Sequence, residues 1–318
     1  MKFESKLEEA VAKTIAYYDS QDIVLTLTEV WLNLFSCQSE ALYTEVEMAI
    51  NGLVGRGVFV LHGAYVAMKG RESLIEERTK RGMIAEKKFR RARRVARLLS
   101  LFPFVRMVGV CNTLSFYMPR LEGDIDVFII TKANRLYISR VFITFALHLM
   151  KLRRHKLHVN NRICLSFYVD EEGLSLDRFA LSGGDPHLAI WASHIIPLFS
   201  THHAYERFWE VNEPFYRSIL AHPKPYEPIE RMRADDTSLT GALRTIFEIL
   251  LFPFAGFFEA MARKNQYQRM RESKTRHLRL VSTGVVLDRH TMKFHEEDRR
   301  EFYRGKMQER LSIIEQRV

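Results

Sequence analysis

Two acids one residue apart, Asp124 and Asp126, head the run L-E-G-D-I-D-V-F-I-I-T at 121–131, which is otherwise apolar enough for a buried strand. Side chains alternate along a strand, so both carboxylates point to one face while Ile125 and Val127 point to the other. Neighbouring like charges repel, and neither is cheaply buried alone. The pattern calls for a cation between them. Other groups with chemical potential are less organised. His187 and His194 lie seven apart in a helical stretch and His202–His203 are adjacent, but no cysteine or acid completes a zinc set. These read as structural histidines. His155 and His158 fall in K-L-R-R-H-K-L-H, a basic loop suited to polyanion contact or to a solvated surface. No Walker loop, G-x-S-x-G or dinucleotide fingerprint occurs.

The elements that position the two acids follow from periodicity. Residues 104–111, F-V-R-M-V-G-V-C, read as a strand that ends in the turn N-T-L at 112–114. The acidic strand covers 124–131. An apolar helix from about Arg135 to Lys151 then leads to a third strand at 162–170, and S-L-D-R-F-A-L can add another. Strand, helix, strand at this spacing is an α/β sheet unit. Ahead of it, residues 71–100 form a long basic helix with Ala85, Phe89, Ala92, Ala96 and Leu99 along one stripe.

The first 70 residues read as a small module. Helices are expected over about 4–18, from Thr26 (capping-box spacing with Glu29) to Phe35, and over 43–54, followed by a hairpin turning at His62–Gly63. That is the order of a winged helix-turn-helix. Its third helix carries Glu45 and Glu47 and has only Arg56 as a cation, so packing or partner docking is expected rather than DNA reading. From about 185 onward the chain reads as helical, with a proline-rich linker at 222–228, an apolar helix pair and a charged C-terminal helix from about Glu296. The fold class is therefore α+β, in three parts: a winged-helix-like module (1–70), a mixed sheet with helices (71–182) and a helical region (183–318).

Bulk properties narrow the function classes. Three separated cysteines, Cys37, Cys111 and Cys164, argue for a reducing, cytoplasmic setting. The acidic amphipathic start is no secretory signal. The longest apolar run, I-L-L-F-P-F-A-G-F-F at 249–258, falls short of a membrane span, so no transmembrane segment is expected and a buried helix pair is preferred over a membrane-surface role. The net charge of +10 is segregated: residues 78–97 hold ten Lys or Arg against one acid, and 263–280 hold seven against one. Such patches favour a polyanion.

The stretch G-V-C-N-T-L, with ten residues between Thr113 and D-I-D, and the hydrophobic strand that follows resemble the nucleotidyltransferase superfamily that includes DNA polymerase beta and the aminoglycoside nucleotidyltransferases. Most of 20–310 further resembles a set of bacterial proteins with a winged-helix-like front, this domain and a helical back, in which D-I-D is followed by a helix like R-L-Y-I-S-R. The specific part is about 105–170. The resemblance implies a magnesium-dependent transfer of a nucleoside monophosphate from a nucleoside triphosphate to an acceptor. Asp124 and Asp126 would hold Mg2+, which keeps waters and takes one or two carboxylates plus phosphate oxygens. Asn112 and Thr113 would line the phosphate pocket, where the family has Gly-Ser; Asn tolerates a left-handed backbone and Thr keeps the hydroxyl. Arg135 or Arg140 would reach triphosphate or brace the sheet. The family often adds a third carboxylate on a neighbouring strand; none lies inside 162–169, where Ser166 is central, and Asp170 is the nearest choice. The basic helix 78–97 would meet a nucleic-acid acceptor. The alternative is a catalytically degenerate relative that binds nucleic acid or a protein.

Overall fold

Ser5 accepts the Glu8 N–H with its side chain and starts α1 (Lys6–Asp19), whose apolar face is fully buried. The computed structural model describes residues 3–37, 40–155, 157–234, 236–272, 284–294 and 298–318. After the short strand β1 (Leu25–Thr26), Thr26 and Glu29 form the reciprocal capping box that opens α2 (Leu27–Leu32). Next come α3 (Tyr43–Gly55) and the strands β2 (Phe59–His62) and β3 (Tyr65–Met68), paired around Gly63–Ala64 in a sheet of order β1-β3-β2. Val46, Ile50 and Leu53 bury one face of α3, and Thr44, Glu45, Met48 and Asn51 face outward. Arg56, the cation at its C-terminal end, is engaged by Glu4 at 2.7 Å and by Glu8. Among the described residues, the outward face of α3 itself carries no cation for phosphate.

The 27-residue helix α4 (Ser73–Leu99) buries the expected stripe of Ala85, Phe89, Ala92, Ala96 and Leu99 against the central sheet. That sheet has six strands in the order β7-β4-β5-β6-β9-β8. Here β4 is Val105–Val110, β5 is Ile125–Thr131, β6 is Ile163–Asp170, β7 is Ile196–Ser200, β8 is Val285–Leu287 and β9 is Thr291–Phe294. A single turn, α5 (Asn112–Ser115), separates β4 from the acidic segment, and α6 (Leu136–Leu149) joins β5 to β6. Strands β5 and β6 are parallel, as a helical crossover requires, and every other pairing is antiparallel. Alternation splits the apolar residues: Ile125, Val127 and Ile129 join the α4 side, whereas Phe128 and Ile130 join the side covered by α7 (Pro186–Ser193) and α8 (Ala204–Arg217). Gly109 in β4 is required by crowding, since a Cβ there would meet Ile195 Cγ2 at 2.8 Å, beside the irregularity in β4–β7 pairing.

The C-terminal region departs from the expected helical reading. Residues 196–200 form one edge of the central sheet and 285–294 form the other, while S-L-D-R-F-A-L holds a 3₁₀ turn at Asp177–Phe179 instead of a strand. These strands have three to five residues, too few to show a period, and β7 and β9 pair with residues 86 to 126 positions earlier in the chain. The apolar helix pair is a single helix, α9 (Ser238–Glu272), which runs through Pro253. It is mostly uncovered rather than buried. The basic positions 273–280 and Glu296 lie outside the described residues. The last helix, α10 (Arg300–Arg317), returns to α1, with Ile314 and Val318 in the N-terminal core and Arg310 Nε 2.8 Å from Asp19 Oδ1.

Candidate metal centre

The segment entering β5 is fixed before the acids are reached. Lys88 of α4, buried, donates from Nζ to the Gly123 carbonyl at 2.6 Å and to Asn161 Oδ1 at 3.0 Å. The Asn161 N–H reaches the same carbonyl at 3.1 Å, and Ile125 N–H donates to the Arg162 carbonyl at 2.8 Å. Burial lowers the Lys88 pKa, and Asp124 opposes that shift. Asp124 and Asp126 then fall in phase with Phe128 on one sheet face, as strand alternation requires. Asp126 stands opposite Cys164 in the parallel β5–β6 pairing. One ligand atom from each of Asp124, Asp126 and Cys164 lies within 4.8 Å of the others.

This cluster is electrostatically unbalanced. Burial, with the Asp124 charge second, pushes Asp126 up to about 6, while hydrogen bonds from Asn112 and Cys164 pull the other way. Burial, then the charges of Asp126 and Asp124, push the Cys164 thiol up to about 12, so it is a neutral donor to Asp126. Arg154 Nη1 pairs with Asp124 Oδ2 at 2.8 Å and approaches Cys164 Sγ at 3.6 Å. The Arg154 guanidinium, with the Lys88 ammonium near Asp124, thus partly offsets two carboxylates. Carboxylate oxygens are the kind of hard donor that Mg2+ takes; a protonated thiol does not ligate it well.

The turn at 112 is built around the acids. Asn112 adopts φ 56°, the left-handed region that asparagine tolerates. Its Oδ1 accepts the Trp191 indole N–H at 2.6 Å, which leaves the amide nitrogen to donate to Asp126. Trp191 is itself locked by stacking on Phe167, with ring centroids 5.3 Å apart. Thr113 is exposed on the same turn.

The remaining expected residues are elsewhere. Asp170 pairs in register with Thr131, five residues beyond Asp126, which places it roughly 16 Å along the strand at the opposite end of the sheet. Fully buried, it accepts from Asn134 N–H at 2.9 Å and Glu172 N–H at 3.0 Å and contacts His290 Nδ1 at 3.0 Å. It clamps loops and is not a third site acid. Arg135 begins α6 at that same far end, donating to the Asn134 carbonyl at 2.7 Å beside the Phe104 ring. Arg140 donates to the Leu165 carbonyl at 3.1 Å and packs over Phe294 and Tyr168. Both brace the sheet. His187 and His194 are structural as expected: burial lowers each to about 4, with His187 beside the Tyr17 hydroxyl and His194 Nδ1 against the Ile190 carbonyl at 2.8 Å. Sequence reasoning missed Lys88, Arg154, Cys164 and Trp191. Only for Cys164 was a signal available, from pairing the third strand in parallel with the acidic one.

No protein-family model, curated protein or solved structure matches the chain.

Proposed function

We propose that this protein is a magnesium-dependent nucleotidyltransferase that moves a nucleoside monophosphate from a nucleoside triphosphate to an acceptor. The observation that carries the reading is the pair Asp124–Asp126 on one sheet face, held against the Asn112 turn, with Asp126 raised to about 6 by burial and by its neighbour. Asp124 and Asp126 would hold the ion, which when bound supplies charge neutralisation on the phosphates. The chain's own residues set the geometry. Lys88 and Asn161 fix the approach to Asp124, and Trp191 orients the Asn112 amide toward Asp126. Arg154, half exposed beside Asp124, would be the cation nearest to a phosphate bound at the carboxylates.

The test is magnesium-dependent transfer of label from α-phosphate-labelled nucleoside triphosphates. The Asp124→Asn/Asp126→Asn protein is expected to lose labelling at least about a hundredfold while retaining its fold; equal labelling by both proteins would end the assignment. A second reading, a catalytically degenerate relative that binds nucleic acid, draws support from Cys164 standing where a third carboxylate would be useful and from the distance to Asp170. It predicts RNA binding that weakens steeply with salt, through the basic face of α4, and no transfer from any triphosphate.

A further inference from the structure

Helix α9 is inside out. Between 238 and 262 its charged residues are Arg244, Glu248 and Glu259, and all three turn toward the protein. Arg244 donates to the Ser100 carbonyl at 2.9 Å and pairs with Asp236 at 2.6 Å. Glu248 takes Arg106 in two hydrogen bonds, at 2.7 and 3.0 Å, and the Phe104 N–H at 2.8 Å. Burial alone would raise the Glu248 pKa, but Arg106 outweighs it and holds the carboxyl below its ordinary value. Glu259 receives the first free N–H groups of α6, from Tyr137 at 3.1 Å and Ile138 at 2.8 Å. The opposite face is apolar and uncovered: Leu250, Phe252, Phe254 and Phe257 are each at least 60% exposed. The surface continues onto α6, where Phe142 packs with Leu251 and Ala255 while Phe145 and Leu149 remain exposed. A helix of a water-soluble domain has the reverse polarity, and a patch of this extent marks an interaction site.

We propose that this face seats in the headgroup–acyl boundary of a membrane carrying anionic lipid, with α9 lying along the surface and the sheet on the aqueous side. By length and composition α9 could cross a bilayer. Crossing would strip Arg244, Glu248 and Glu259 from their partners and bury three charges in hydrocarbon, so the helix lies flat. Charge selects the occupant. The apolar stretch runs into the exposed cations Lys264, Arg269 and Arg271. Anionic headgroups complement that rim, whereas a second copy of a chain with net charge +10 would bring like charge to it.

The experiment is flotation of the full chain with vesicles of phosphatidylcholine alone and of phosphatidylcholine mixed with phosphatidylglycerol. The variant is Phe252→Ser/Phe254→Ser/Phe257→Ser, in which only exposed side chains change. The protein is expected to float with the mixed vesicles, more weakly at high salt, and the variant to lose about tenfold or more of the bound fraction. No flotation with either vesicle overturns the proposal. So does flotation unaffected by the variant, or a dimer in solution that the variant converts to monomer without any vesicle binding.

Discussion

Asp126 bears the cost of the paired site, because burial and Asp124 both oppose its charge. Asp126→Asn is accordingly expected to stabilise the metal-free protein. The native carboxyl binds its proton more tightly than the unfolded one, so the wild-type penalty is complete above about pH 6 and fades as pH falls toward the ordinary value of 3.8. Denaturant titration in a chelator should show a gain of about 1–3 kcal/mol at pH 8 that shrinks toward pH 4. A loss at pH 8 would mean that the carboxylate is already compensated. At this scale the sequence revealed what depends on neighbours along the chain: the shared face of Asp124 and Asp126, and the tolerance of Asn112 for a left-handed turn. It hid what depends on pairing between distant segments. Cys164 reaches the site through strand register, Lys88 through helix packing and Trp191 through α7. Asp170 was misassigned because parallel pairing carries the end of β6 along β5 to Thr131, at the opposite end of the strands from Asp126.

Elements with capping signals or a sustained stripe were legible: Thr26 with Glu29 announced α2, and five apolar positions announced α4. The short edge strands β7, β8 and β9 were not, since a strand of three to five residues gains its identity from the partner it joins. Helix α9 was misread for another reason. Apolar residues were assigned to the inside, but Arg244, Glu248 and Glu259 also point inward, beside Ala255 and Ala262, while most of the large apolar side chains face out. The Arg106–Glu248 pair gives a measurable consequence. Arg106→Leu leaves a half-buried carboxylate without its main partner and is expected to cost about 3 kcal/mol, whereas Arg106→Leu/Glu248→Leu recovers much of that loss. Equal destabilisation by the single and double variants would show that the pair is not what holds α9 to β4.

Across the whole molecule, the expected division into 1–70, 71–182 and 183–318 leaves out how the parts assemble. The last third supplies both edges of the central sheet and returns α10 to the N-terminal module, where Ile314 and Val318 complete its core and Arg317 Nη1 reaches the Lys69 carbonyl at 3.0 Å. Long-range closure of this kind leaves no local trace in a sequence. Deleting residues 300–318 should therefore speed amide hydrogen exchange in α1 by about tenfold or more while that of β4, β5 and β6 changes little. Uniform acceleration would show that the module and the sheet unfold as one unit. The functional account itself depends on Asp124 and Asp126 gripping a divalent ion beneath a triphosphate. Melting temperature measured with nucleoside triphosphate, with and without Mg2+, tests it most directly. The account predicts a rise that needs both ligands in the wild type and disappears in Asp124→Asn/Asp126→Asn. A rise that survives in the variant, or one that does not depend on Mg2+, would contradict it.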